Sequence, residues 1–182
     1  MYKPIEGAKK ILKVNLDVKP GESVLVIAEN STSKDAAYFL DAAKELNLNT
    51  IMIVMPNLHF NGEEPFEIVQ KAMKLPDVMV IATKHSISTI NAISKASQIG
   101  VRTLSMPGFT SEMLIRGPIE ADFLKIKSRV LDLAGLFEKA EMVQITTKNG
   151  SNLSFSVKGR TGNIRDALAR ENGDFRSMSV EA

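Results

Sequence analysis

The run Val78–Ala82 constrains the fold more than any other stretch of this sequence. Its five residues, VMVIA, are all apolar and show no alternation with polar residues. A strand with one face in water alternates apolar and polar positions, whereas a strand covered on both faces does not. The run therefore predicts a buried strand of a parallel sheet, which requires helices on both faces of that sheet.

A helical stretch with regularly placed isoleucines follows this strand, and Gly100 ends it as a helix-terminating glycine. The next apolar run, Val101–Ser105, completes a β-α-β unit. Two earlier runs, Ser23–Ala28 and Thr50–Met55, have the same character and are also separated by a helical pattern. The four runs predict an α/β fold with a doubly wound, Rossmann-like parallel sheet of four strands.

The pattern changes near residue 140, after a long helix predicted over residues 119–139. Two alternating stretches, Glu141–Thr147 and Asn152–Lys158, flank an Asn-Gly pair, which is typical of an antiparallel β-hairpin. We predict a Rossmann-like α/β domain over residues 1–140 and the start of a second, β-containing domain over residues 141–182. Residues 159–182 are polar and weakly patterned, so no finished element is predicted there, and the second domain is expected to be incomplete.

Composition excludes several classes of function. The chain has no cysteine, so disulfides, zinc fingers and iron–sulfur clusters are excluded. A net charge of +2 without a basic stripe argues against nucleic acid as a partner. The apolar runs are too short to cross a bilayer, and the first residues lack the apolar core of a signal peptide. A cytoplasmic protein with no membrane partner is the expectation.

His85 is the candidate catalytic residue, because it follows the buried strand at the sheet edge where open α/β folds bind ligands. An imidazole placed there suits a general base or a donor to the substrate. The alternative is a loop histidine satisfied by backbone groups. Ser86 and Ser88 are close enough in sequence to cap the next helix or to orient the ring. A Pro107-Gly108 turn follows the fourth strand at the same edge.

Other residues at this edge have weaker signals. His59 lies in the long loop after the second strand, and an exposed loop position is its simpler interpretation. No HxH, HxxxH or HExxH spacing exists, so the chain does not predict a metal site of its own. Glu29 and Ser31–Ser33 follow the first strand without the glycines of a dinucleotide site. We expect those hydroxyls to cap a helix, with binding of a small anion as the alternative.

Several segments together resemble one family. They are KPGESVLVIAE, the His-Ser pair after the third strand, GVRTLSMPGFTSEMLIRG and the hairpin with NGSNLSF. This combination is similar to the aminopeptidase T-like family of thermophilic metallopeptidases, often called leucyl aminopeptidases. A branch of that family contains the iron-dependent 2,5-dihydroxypyridine 5,6-dioxygenases. The resemblance covers most of residues 5–160.

The resemblance implies a two-domain enzyme whose divalent metal, Zn, Co or Fe, is held mainly by a C-terminal domain. Glu181 is the one residue here that corresponds to a family metal ligand, although the turn before it departs from the family pattern. His85 corresponds to a family histidine that faces the cleft, where the dioxygenase branch uses it for proton transfer. Because the family tends to dimerise, the resemblance also implies a homodimer.

Three functions follow as expectations. The first is the N-terminal part of a metal-dependent aminopeptidase-like hydrolase acting on peptides, to which this chain contributes a wall of the cleft. The second is an iron-dependent ring-cleaving dioxygenase acting on a small molecule. The third is a non-catalytic α/β module that binds a ligand or a subunit. In each case we expect the 182-residue chain alone to be inactive and to bind no metal tightly.

Overall fold

The computed structural model describes residues 3–162 and 164–178. Its chain forms two compact units: residues up to Ala121 together with the segment from Ala167, and the stretch from Asp122 to Asp166. The two units are described separately. The predicted division of the whole protein at residue 140 stays a prediction.

The first unit is built on a parallel sheet of five strands. They are β1 (Ser23–Glu29), β2 (Asn49–Met55), β3 (Val78–Ala82), β4 (Arg102–Ser105) and β7 (Phe175–Ser177). Their order across the sheet is β2-β1-β3-β4-β7, and every neighbouring pair is parallel. The predicted α/β fold with a parallel sheet is therefore confirmed, and β3 begins and ends at the predicted residues.

Four helices cover the two faces of this sheet. They are α1 (Pro4–Lys10), α2 (Ser33–Glu45), α3 (Glu67–Ala72) and α4 (Asn91–Gln98). Buried residues of α3 and α4 pack with Leu25 and Ile27 of β1 in one core cluster. Helices α1 and α2 pack against each other, and α2 also packs on β1 and β2. Because side chains alternate across a strand, the first strand serves both layers.

The strand order places a reversal between β1 and β3. From β1 the chain moves outward to β2, then returns past β1 to form β3 and continues to β4. In doubly wound sheets the loops at the carboxyl ends of the strands on either side of such a reversal form the region that binds ligands. The strand order therefore predicts a ligand site at the loops that begin at Glu29 and Thr83.

β7 was not predicted, and the expectation that residues 159–182 hold no finished element is wrong. Its three residues pair with β4, and the backbone N–H of Thr103 donates to Asp174 O at 2.8 Å. Asn15 anchors the segment before β7, since its amide donates to Ala167 O at 2.9 Å and its own carbonyl accepts from Ala169 N at 2.8 Å. Long-range backbone pairing, which no local pattern reports, makes this polar segment a strand.

The second unit contains α5 (Phe123–Lys139) and the antiparallel hairpin of β5 (Met142–Thr146) and β6 (Asn152–Ser156). The predicted hairpin is confirmed. Gly150 in its turn has φ +93°, a backbone conformation that favours glycine. Asp122 caps α5 through a hydrogen bond from Lys125 N at 3.2 Å. The predicted helix start at residue 119 is wrong, because residues Gly117–Glu120 form a separate 3₁₀ turn.

No helix within the described ranges is both long and apolar enough to cross a bilayer.

Candidate functional site at the carboxyl edge of the sheet

A hydroxyl group joins the two strands at the point of reversal. Thr32 is buried, and its Oγ1 donates to Ala82 O, at the end of β3, at a distance of 2.6 Å. The same oxygen accepts from the backbone N–H of Glu29 at 3.0 Å. The prediction that the hydroxyls after β1 cap the next helix is wrong for Thr32, which occupies the N-cap of α2 without a side-chain cap bond. Its hydroxyl instead connects the end of β1 to the end of β3.

Glu29 places a carboxylate at the carboxyl end of β1. The residue is fully buried at the end of β1, and its side chain has two long contacts. Oε1 accepts from the backbone N–H of His85 at 3.5 Å, and Oε2 accepts from the Ser31 hydroxyl at 3.5 Å. A buried carboxylate is costly unless it is well hydrogen bonded. Two bonds at the distance limit leave Glu29 with capacity to accept a further donor.

His85 lies beside Glu29 and is half-buried. The Thr83 hydroxyl holds its backbone by donating to its carbonyl at 2.7 Å, and its N–H makes the long contact with Glu29. Its imidazole ring makes no hydrogen bond to any of the described residues. Both ring nitrogens are therefore without a hydrogen-bond partner among the described residues, which disagrees with the alternative of a ring satisfied by backbone groups.

The loops after β2 and β4 are bonded to the His85 loop. Ser86 N donates to Asn61 Oδ1 at 2.9 Å, and Gly62 N donates to Ser86 O at 2.7 Å. On the other side Gly108 N donates to Lys84 O at 2.9 Å. The Pro-Gly turn and the His85 loop, which were singled out separately in the sequence, are thus neighbours in one edge.

A chain of hydroxyls runs through the same edge. Ser86 Oγ donates to Ser88 Oγ at 3.0 Å, and Ser88 Oγ contacts the buried Ser105 Oγ at 3.4 Å. Neither serine caps α4, whose first amide, Asn91 N, donates to Glu64 Oε1 from the β2 loop at 3.0 Å. The expected capping role of Ser86 and Ser88 is therefore wrong. Sequence spacing could not identify Glu64 as the cap, because it comes from a different loop.

His59 is positioned differently from His85. Its side chain is 81% exposed, and Nδ1 lies 3.1 Å from Glu63 Oε1. The His59 backbone N–H and then its ring hold the pKa of Glu63 below the usual range, so this carboxylate stays ionised. The two histidines lie in loops that are bonded to each other, yet His59 pairs with its own loop. The interpretation of His59 as an exposed loop residue agrees with this geometry.

The described residues do not form a metal site. Among residues 3–162 and 164–178, no group of three or more His, Cys, Asp or Glu side chains is arranged to hold an ion. Glu181, the predicted ligand, lies outside the described residues. The donor groups of the described residues thus do not fit a metal ion.

Cavity volume points elsewhere. A cavity of about 340 Å³ lies at the opposite, amino edge of the sheet, and it is lined by Leu12, Lys13, Val18, Pro20, Gly21, Leu46, Asn47 and Leu48. Its walls are mostly apolar and bring no acid and base together. We place the candidate site at the carboxyl edge because available proton-transfer and acceptor groups converge there, and volume alone carries no chemistry.

No protein-family model and no curated protein matches the sequence. The fold is similar to the solved structure of 2,5-dihydroxypyridine dioxygenase from Pseudomonas putida KT2440, with a TM-score of 0.69 and 16% sequence identity. The match covers 96% of this chain and 52% of the dioxygenase chain. At this identity the likeness establishes the shared α/β fold, and this chain spans about half the length of the dioxygenase.

Proposed function

We propose that this chain forms the α/β part of a metal-dependent enzyme that acts on a small hydroxylated ring compound, with His85 as the group that takes or returns a proton. The observation that carries the proposal is His85, a half-buried residue at the carboxyl edge of β1 and β3 whose ring makes no hydrogen bond to any described residue. Two features support it further: the buried Glu29 carboxylate beside it, and the likeness to a dioxygenase of a dihydroxylated pyridine.

The chemistry of the edge suits such a ligand. A ring hydroxyl is a weak acid, and a neutral imidazole can accept its proton at the moment when charge develops on the ring. Glu29 holds the backbone of the His85 loop and retains acceptor capacity for a second hydroxyl or for a ring N–H. The hydroxyl chain from Ser86 to Ser105 offers further donors and acceptors along the same wall.

In this proposal the metal ligands come from outside the described residues, because those residues do not form such a site. The metal would supply the activation of oxygen or of water, and this chain would bind and orient the organic substrate. The aminopeptidase-like hydrolase expected from the sequence stays the alternative. It differs in the ligand that the edge should accept: an aminoacyl amide in place of a ring diol.

The test is calorimetric titration of the 182-residue chain with 2,5-dihydroxypyridine and, separately, with leucinamide. We expect the ring diol to bind and His85→Gln to weaken that binding by about tenfold, since one hydrogen bond to a reacting group contributes on the order of 1.4 kcal/mol. His59→Gln is the matched control and should leave the affinity unchanged, because the His59 side chain is exposed and pairs with Glu63 of its own loop.

Three results would count against the proposal. Binding of leucinamide in preference to the ring diol would favour the hydrolase. Ring-diol binding that His59→Gln and His85→Gln weaken equally would remove His85 from its assigned role. If neither compound binds, the non-catalytic module is favoured.

A further inference from the structure

The sequence contains three Asn-Gly pairs, Asn61-Gly62, Asn149-Gly150 and Asn172-Gly173. Such a pair can modify itself without an enzyme, because glycine has no side chain to keep its backbone nitrogen away from the preceding amide. All three asparagines are exposed. Exposure therefore does not distinguish them, and the hydrogen bonds around each pair determine which one can react.

The reaction has two steps. The backbone nitrogen of glycine attacks Cγ of asparagine, a C–N bond closes a five-membered succinimide ring, and Nδ2 leaves as ammonia with the proton of the attacking nitrogen. Water then adds to one of the two ring carbonyls and breaks its bond to nitrogen, which yields aspartate or isoaspartate. The first step requires that the glycine N–H leave its acceptor and that the asparagine side chain be free to turn toward it.

Both reacting groups of the Asn61-Gly62 pair are held. Gly62 N donates to Ser86 O at 2.7 Å, and Asn61 Oδ1 accepts from Ser86 N at 2.9 Å. Both bonds go to the loop after β3, which is distant in sequence. Because one residue fixes the attacking nitrogen and the attacked amide, reaction at Asn61 requires the two loops to separate.

The Asn172-Gly173 pair is packed into the first unit. Gly173 N donates to Gly100 O at 2.9 Å, and Gly173 O accepts from the Ser97 hydroxyl. A Cβ at Gly173 would lie 2.5 Å from Ser97 O, so this backbone is in close contact with the last turn of α4. Reaction at Asn172 therefore requires the segment before β7 to detach from α4.

The Asn149-Gly150 pair lies in the turn of the β5–β6 hairpin, and its bonds are local. Gly150 N donates to Thr147 O at 3.0 Å within the same turn. The Asn149 side chain makes no hydrogen bond to any of the described residues, and a Cβ at Gly150 would meet nothing within 4 Å. Gly150 is exposed, whereas Gly62 and Gly173 are partly buried. Among the described contacts, one local hydrogen bond opposes the attack.

We propose that Asn149 is a site of spontaneous deamidation, while the fold protects Asn61 and Asn172. The reaction needs no ligand and is independent of the proposed function. It adds one negative charge beside Lys148 to a chain of net charge +2. The isoaspartate product also carries the side-chain methylene in its main chain. Because the length of a turn fixes the register of its hairpin, this product should weaken the pairing of β5 with β6.

The test is incubation of the 182-residue chain at neutral pH, folded and in urea, followed by peptide mapping by mass spectrometry. Cleavage after lysine places the three pairs in separate peptides, residues 45–71, 149–158 and 159–182. In urea the three pairs should react at similar rates. In the folded chain Asn61 and Asn172 should react about tenfold or more slowly than Asn149, since their reaction requires local opening.

Two variants locate the reaction within the 149–158 peptide, which also contains Asn152. Asn149→Gln should abolish the mass gain, because a glutamine amide would have to close a larger ring. Asn152→Gln is the matched control and should leave the mass gain unchanged, since Asn152 lies in β6 and its Oδ1 accepts from Gln144 Nε2 at 2.9 Å. Equal rates at the three pairs in the folded chain, a faster reaction at Asn61 or Asn172, or a mass gain that survives Asn149→Gln would each overturn the proposal.

Discussion

Gly7→Ala is expected to destabilise the protein by about 2 kcal/mol, although alanine is the better helix former by about 1 kcal/mol. Gly7 is buried in α1, where the helix crosses the 3₁₀ turn Ser111–Leu114. A Cβ at this position would overlap the backbone carbonyl of Leu114. A backbone atom cannot rotate away as a side chain can, so α1 would have to move off the turn and lose contacts with its neighbours.

Urea unfolding of the Gly7→Ala variant checks this, with Gly135→Ala as the matched control. Gly135 is also helical, in α5, but an added Cβ there meets nothing within 4 Å. The control should therefore gain about 0.5–1 kcal/mol from helix propensity alone. If both alanine variants gained stability, the close packing of α1 on the Leu114 backbone would be incorrect.

Glu22→Gln is expected to lower the free energy of unfolding by about 2–3 kcal/mol at pH 7, because it leaves a buried guanidinium without its counter-charge. The Arg102 side chain is 6% exposed, and its two terminal nitrogens donate to Glu22 at 2.9 and 2.6 Å. Its Nε donates to Leu16 O at 3.2 Å. These bonds join the loop before β1 to the first residue of β4 at the amino edge of the sheet.

The effect should depend on pH in a defined direction. The Arg102 guanidinium, hydrogen bonded to Glu22, holds the pKa of that carboxyl below its ordinary 4.5. A carboxyl whose pKa is depressed on folding adds stability above its unfolded pKa and loses it as pH falls through the folded value. The difference between wild type and Glu22→Gln should thus be constant above about pH 5 and disappear in stronger acid.

Chemical denaturation between neutral and acidic pH measures this difference. The control is Glu112→Gln, which removes one partner of the exposed Glu112–Arg116 pair, where both side chains are more than half exposed. An exposed pair contributes little, so the control should change stability by less than about 1 kcal/mol. A Glu22→Gln variant that behaves like the control would show that the Arg102 pair is not needed for the fold.

Residue type and spacing were sufficient for the central sheet. Val78–Ala82 has no polar position, and only a doubly covered strand accommodates that, so β3 could be predicted to the residue. Gly100 ends the α4 turn with φ +100°, as its position indicated. β7 could not be predicted, because Phe-Arg-Ser has no strand signal of its own. It becomes a strand through hydrogen bonds to β4, and no local sequence rule predicts that pairing.

The first helix shows a second limit. Apolar residues at helical spacing run from Ile5 to Leu16, yet α1 ends at Lys10 and a π-helical turn continues through Ile11–Asn15. The wider turn fits a buried Asn15, whose amide and carbonyl bind the segment from Ala167. A π-helical turn of this kind responds to a partner far along the chain, and the spacing of apolar residues does not report it.

The candidate site was predicted in part. Strand ends could be located from the sequence, so His85 and the Pro-Gly turn were expected at one edge, and the structure brings their loops together. Glu29 and Thr32 were interpreted as part of a capping cluster, although a glutamate that directly follows the apolar run of a strand is itself a signal of a buried charge. The pairing of Thr32 with Ala82 depends on the strand order, which was visible only in the fold.

The two histidines of this chain allow the proposed ligand site at the carboxyl edge of β1 and β3 to be tested directly by NMR. With ¹³C,¹⁵N-histidine label, the ring signals of His59 and His85 are assigned by one glutamine variant each, and 2,5-dihydroxypyridine is then added to the wild-type chain. We predict saturable shifts of the His85 ring signals while those of His59 stay in place. Unchanged His85 signals, or equal shifts of both rings, would contradict a ligand site at the carboxyl edge of β1 and β3.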